Sequence, residues 1–310
     1  MSKRTLSVLT EGHHFLEGLR WHDGRLWMSD FYSHRVMSVD LAGQVEVVAE
    51  VPCQPSGLGW LPDGRLLAVS MTDKKVMRRE HNGALVVHAD LSAYAGGILN
   101  DMVVDSVGRA YVGNFGFDLF GGAPLRTTAI IRVDPDGTVT PGEDGLYFPN
   151  GSVITPDGKT LIVDESAGNR ISAFDILPGG ALGKRRDWAV FGDTPNHDDG
   201  VKALVEAVVA PDGCSLDAEG ALWVADAGGN RVIRVAEGGK ILEEIKTGDG
   251  IYCAVLGGAR GTTLFLAAAP NFIAAERKAT RLGKIIMTEV DVPCVRLSEV
   301  SEPGVQHQFA

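Results

Sequence analysis

A polar or small residue, an apolar strand, a glycine turn and a second apolar strand recur six times along this chain, and that repeat limits what it can fold into. The copies open at Glu17, Ser56, Asn100, Asn150, Asp212 and Tyr252, with spacings of 39, 44, 50, 62 and 40 residues. Four-stranded propeller blades need about 40–45 residues each. Asp-Gly and Pro-Asp-Gly turns, such as Pro62-Asp63-Gly64 and Pro156-Asp157-Gly158, supply the positive-φ glycine of a tight hairpin. Third and fourth strands are legible as well, for example Arg35 to Val39 followed by Val45 to Val48. A linear solenoid is the alternative, but short β repeats without a capping segment favour closure. The expected fold is therefore all-β: a single domain over 1–310, a six-bladed propeller with four antiparallel strands per blade. A strand near Thr5 to Leu9 is expected to close the ring by completing the last blade.

Closure has a chemical consequence. In each blade the innermost strand starts near the central channel on one face, the top, so the six opening residues are predicted to ring the channel mouth. Glu17, Asn100, Asn150 and Asp212 offer two carboxylates and two carboxamides. An oxygen-only set of this kind suits a hard divalent cation such as calcium, magnesium or manganese. Asn, Asp and Ser at strand starts also make turn hydrogen bonds; four at one register of a ring favour a shared site. Ser56 and Tyr252 are read as channel lining, Tyr252 with a substrate contact. Three long segments, Asn114 to Thr128, Gly192 to Pro211 and Ala269 to Gly283, fall on the same face, where loops carry function.

Composition narrows the partners. A net charge of −11 and a pI near 5.2 argue against nucleic acid or an anionic membrane surface. With no apolar run of membrane length and no leader pattern, a cytoplasmic protein acting on a small molecule is expected; the oligomeric state is left open. Cys53, Cys214, Cys253 and Cys294 lie far apart, as unpaired thiols of a reducing compartment do. No H-E-x-x-H, P-loop or complete G-x-S-x-G is present, and His13-His14 is read as a partly exposed connection.

Several of these motifs carry a family resemblance over nearly the whole chain. Glu17-Gly18 through Trp21 to Ser29-Asp30, Asn100-Asp101, Asn150-Gly151, Pro211-Asp212-Gly213 and Cys253-Ala254-Val255-Leu256-Gly257-Gly258 resemble the SMP-30/gluconolactonase/luciferin-regenerating-enzyme family of six-bladed propellers. The resemblance implies one divalent cation held by Glu17, Asn150 and Asp212, with calcium the first expectation and manganese, magnesium, zinc or iron as alternatives. It implies Asn100 as a further ligand or substrate contact, Asp101 as general base, and lactone hydrolysis as the reaction. A calcium-dependent organophosphate or ester hydrolase, and a non-catalytic metal-binding propeller, are the alternatives.

One departure bears on substrate. Sugar-lactone members typically carry Arg two residues before the Asn-Asp pair, where this chain has Ile98. Beside it runs the apolar stretch Phe115-Gly116-Phe117-Asp118-Leu119-Phe120, so Ile98, Phe115 and Phe117 are expected to wall a pocket for a less polar lactone. Asp198 to Val209 reads as a short capped helix in the Gly192 to Pro211 insertion, a candidate lid, with His197, Asp198 and Asp199 as acid, base or gate if they reach the pocket mouth. Glu276, Arg277, Lys278 and Arg281 are read as a solvated rim, with a substrate-carboxylate contact as the alternative.

Overall fold

The computed structural model describes residues 4–194 and 199–295. Its strands form six four-stranded antiparallel sheets, five of them consecutive in sequence. Blade 1 comprises Leu16–His22, Arg25–Asp30, Arg35–Val39 and Val45–Glu50, and blades 2 to 5 follow the same meander. The sixth sheet combines Gly250–Gly257, Thr263–Ala269 and Gly283–Glu289 with the N-terminal strand Ser7–His13, which pairs with Gly283–Glu289 as its outer strand. The closing strand thus lies where the sequence placed it, two residues further on at its start and four at its end.

Each inner strand contacts the next, and the sixth returns to the first. This closed ring is held by apolar layers between blades. Leu16, Leu19, Leu26 and Met28 pack on Cys253, Phe265 and Ile285 across the seam between blades 1 and 6. Trp223, Ala225 and Val232 meet Ala254, Leu256 and Leu264 across the next interface. Side-chain hydrogen bonds add to this near the channel mouth: Ser29 Oγ donates to the Ser56 carbonyl at 2.6 Å and Ser166 Oγ to the Pro211 carbonyl at 2.7 Å. Cys214 and Cys253 are buried free thiols, and Cys53 and Cys294 are half-buried.

The repeat also explains how tightly the channel closes. All six inner strands are bulged beside the opening residue, between Glu17 and Arg20, Pro55 and Leu58, Leu99 and Met102, Pro149 and Ser152, Pro211 and Cys214, and Ile251 and Cys253. In four blades the next residue is glycine. A Cβ on Gly151 would lie 2.3 Å from the Asp212 carbonyl oxygen, so glycine lets the blade 5 strand approach. Asp101 and Cys253 take this position in blades 3 and 6.

Gly151→Ala is therefore expected to force the two strands apart and lower stability by about 1–3 kcal/mol, the usual cost of overpacking. Denaturant midpoints of wild type and variant measure it, and an unchanged midpoint would contradict the close approach.

Candidate metal and substrate site

The opening residues converge as the repeat requires. Glu17, Asn100, Asn150, Asp212 and Tyr252 all line one top-face cavity, and Glu17, Asn100, Asn150 and Asp212 are buried. Ser56, also buried, is not among the cavity-lining residues. Ser166, at the end of blade 4's second strand, joins the polar floor: Asn150 Nδ2 donates to Ser166 Oγ at 2.9 Å, which fixes the carboxamide.

Electrostatics make this floor uncomfortable without a cation. Burial first, then the charges of Asp212 and Asp101, push the Glu17 carboxyl well above its ordinary range. Burial, then Asp164 and Asp101, do the same to Asp212, against a hydrogen bond from Asn150. Among the described residues, Asp212 Oδ1 and Asn100 Nδ2 are buried without hydrogen-bond partners. Unmatched oxygen and mutually repelling carboxylates are what a divalent cation would relieve, and carboxylate and carboxamide oxygens are ligands that calcium accepts. Among the described residues no group of three His, Cys, Asp or Glu side chains is disposed to hold a metal, so the candidate centre depends on asparagine as well as acid. Asp164 is fully buried and does not line the cavity; burial above all, with the charge of Asp101 adding, pushes its carboxyl well up.

Asp101 sits beside this floor rather than on the cavity wall. Its Oδ1 accepts from Arg20 Nη2 at 2.6 Å and from the Met102 amide at 2.8 Å, so Arg20 reaches from blade 1 to blade 3 to hold it. Neither hydrogen bond uses Oδ2.

Above the floor the walls are aromatic: Phe15, Phe31, Phe115, Phe148, Tyr252 and Phe272. The rings contact one another in two groups, Phe15 with Phe31 and Tyr252, and Phe115 with Phe148, with centroid separations of 4.7 Å for Phe15 and Tyr252 and 4.0 Å for Phe115 and Phe148. Asp30, ending blade 1's second strand, places two wall residues by accepting from the Phe15 amide at 3.2 Å and the Tyr32 amide at 3.3 Å through Oδ1. Leu204 and Val205 of α1, Gly200–Glu206, complete one side. This is the helix expected in the insertion, and Asp199 caps it by accepting from the Val201 amide at 2.9 Å and the Lys202 amide at 3.3 Å. His197 and Asp198 lie outside the described residues.

The structure corrects two wall assignments. Ile98 packs against the apolar core instead of lining the cavity, because its carbonyl is engaged with the Phe115 amide at the strand edge. Phe117 is buried under α1, where a Cβ on Gly200 would lie 2.1 Å from its ring, and so supports the helix rather than the cavity wall. Sequence reasoning missed Phe15, Phe31, Tyr32, Phe148 and Phe272. Phe31 and Tyr32 follow the second strand in a top-face connection, a placement the repeat offered. The solvated-rim reading of 269–283 fails at Arg277, which is buried within α2, Ala274–Ala279.

Comparisons with known proteins establish the family and the fold. The SMP-30/Gluconolactonase/LRE-like family model matches residues 15–270. The chain belongs to this family. Pentonolactonase XacC of Haloferax volcanii is 28% identical over 230 residues, 70% of this chain and 68% of that one. Regucalcin of Danio rerio is 29% identical over 150 residues, 47% of this chain and 45% of its own length, so the chain spans under half of that relative. A calcium-binding protein, regucalcin, of Agrobacterium tumefaciens shares the fold with a TM-score of 0.75 at 22% identity, covering 95% of this chain and 98% of that one. No helix among the described residues is long and apolar enough to cross a membrane.

The raised carboxyls give a signed pH dependence. Protonated, they tolerate burial; ionised without a cation, they repel. The chelated protein should lose stability as pH climbs from the unfolded carboxyl range near ~4 through the raised folded values. Added calcium should accordingly raise the melting temperature more at pH 8 than at pH 5. Melting curves with and without calcium test this, and an equal gain at both pH values would contradict it.

Proposed function

We propose that the chain is a divalent-metal-dependent hydrolase that opens the lactone ring of a substrate less polar than a sugar aldonolactone. The observation that carries this reading is an aromatic cavity whose polar floor is drawn from Glu17, Asn100, Asn150, Asp212 and Ser166. The pentonolactonase among its relatives is named for a lactone substrate, which supports the reaction class.

Glu17, Asn150 and Asp212 would hold the cation, with calcium the first expectation. When bound, it would supply Lewis-acid polarisation of the lactone carbonyl. The chain's own groups account for the rest. Asn100 Nδ2, buried and unpartnered, offers a hydrogen bond to a substrate oxygen. Asp101, with Oδ1 fixed by Arg20, is assigned as general base through Oδ2. It takes a proton from water as the water oxygen bonds to the acyl carbon. The acyl–oxygen bond then breaks, and the ring oxygen receives the proton, giving a hydroxy acid. The aromatic walls take the alkyl or aryl body and exclude bulk water, and they offer a sugar's hydroxyls few partners, so those groups would be desolvated without compensation.

Alkyl or aryl lactones should accordingly exceed aldonolactones in kcat/KM by about tenfold or more. Asp101→Asn should bind the cation but lose about 10²–10⁴-fold in kcat. Steady-state kinetics on a panel of both lactone types, a phosphotriester and an aryl ester test these together. A wide preference for aldonolactones ends the apolar reading, an unchanged Asp101→Asn rate removes the base, and turnover of the phosphotriester alone changes the reaction class.

A further inference from the structure

Two apolar side chains line the cavity and yet stand in water. Phe120 is 55% exposed and Val205 63% exposed, and both belong to the cavity lining. Each follows a leucine that faces inward: Leu119 and Leu204 are buried members of the apolar core and line the same cavity. Two top-face insertions thus step outward in the same way, from a leucine within the wall to an exposed apolar residue at its outer end. A single exposed apolar side chain is ordinary, but two on one cavity carry its apolar lining out to the mouth.

Both are held in place. Asp118 accepts from the Gly121 amide through Oδ1 at 2.9 Å and from the Ala123 amide through its carbonyl at 2.9 Å, which fixes the turn carrying Phe120. The Phe120 ring centre lies 6.0 Å from that of Phe115, which lies 4.0 Å from that of Phe148, so aromatic surface runs from the wall to the lip. Val205 is carried by α1, which Asp199 caps and whose Gly200 lies against the Phe117 ring of the same loop as Phe120. That contact ties loop and helix together. Val201, one turn earlier on α1, is also exposed and extends the apolar surface along the helix. Among the described residues, the only charged side chains lining the cavity are Glu17 and Asp212 on its floor, so the lip offers a ligand apolar surface alone.

We infer that Phe120 and Val205 form a lip subsite that takes the outer part of an alkyl chain borne by the lactone, remote from the ring that is opened. This rests on the lactone-hydrolase reading and narrows its substrate class to lactones whose alkyl chain reaches from the floor to the mouth. The cation-binding floor would take the lactone carbonyl, the aromatic wall the near methylenes and the lip the far ones. Apolar contact is not directional, so the lip reads the length of the chain.

The test measures kcat/KM on γ-lactones bearing methyl, butyl, hexyl and octyl chains, for wild type, Phe120→Ser, Phe120→Leu, Val205→Ser and Val190→Ser. Val190 is an exposed apolar residue on blade 4's outer strand, away from the cavity, and controls for general surface hydrophobicity. Wild type should gain about twofold per methylene from butyl to octyl, mainly through KM, the scale of a methylene partly removed from water. Phe120→Ser should lower the octyl-to-methyl ratio by about 5- to 20-fold and Val205→Ser by a smaller factor, while Phe120→Leu keeps part of the gain. Val190→Ser should keep the wild-type ratio. No gain beyond butyl in wild type, an unchanged ratio in either lip serine variant, equal losses at every chain length, or the same fall in Val190→Ser would overturn the assignment. Calorimetric binding of the corresponding cyclopentanones, which have a methylene for the ring oxygen and cannot be hydrolysed, separates the lip from the reaction class. A chain-length gain in binding that Phe120→Ser removes, with no lactone turned over, would keep the lip subsite and end the hydrolase. Lactone turnover whose chain-length dependence ignores both lip residues would keep the hydrolase and end the subsite.

Discussion

Repulsion among buried carboxylates is the constraint on which the rest of this structure turns. Glu17 and Asp212 come from blades 1 and 5, far apart in sequence, and ring closure presses them together with Asp101 where water screens them poorly. Glycines such as Gly151 tighten the approach, because the neighbouring strand's carbonyl would otherwise meet a Cβ at 2.3 Å. Two of these charges, Glu17 and Asp212, are the ones proposed to pair with a cation. The third, Asp101, is compensated by Arg20, so the protein spends an ion pair across two blades to keep a carboxylate beside the floor. A fold selected for stability alone would place apolar residues there.

Above that floor the chemistry changes abruptly from oxygen to aromatic carbon. The change separates two tasks. In the proposed reaction the floor would take the reacting carbonyl, and the wall would select the body attached to it. Asp30 shows how the two are joined, since one carboxylate at the end of a blade 1 strand sets the backbone of Phe15 and Tyr32, while Glu17 begins its work two residues beyond Phe15. Helices α1 and α2 come from the two insertions nearest the C-terminal blades. The first contributes Leu204 and Val205 to the wall, and the second carries the buried Arg277.

Much of this was legible before the structure because a repeat converts sequence register into spatial convergence. Glu17, Asn100, Asn150 and Asp212 could be assigned to one mouth without knowing a single distance. The Asp199 cap was legible for a local reason, since it depends only on the residues after it. Ile98 and Phe117 were misplaced because apolar character does not say which side of a loop faces the cavity; Phe117 faces Gly200, eighty-odd residues away in sequence. Arg277 was hidden for the opposite reason. A run of Glu, Arg and Lys reads as solvated, and its burial follows from the docking of α2 against His14, a contact that spans the ring seam. Arg20 likewise looks like an ordinary outward strand residue until the channel places it against Asp101.

The proposed reaction depends on Glu17, Asn150 and Asp212 holding one divalent cation. Elemental analysis of wild type beside Asp212→Ala, after identical dialysis against a weak chelator, tests it most directly. About one equivalent of calcium, manganese, magnesium, zinc or iron is expected in the wild type and little in the variant, with both proteins folded. Equal metal in the two, or none in either and no binding of added ions, would contradict it.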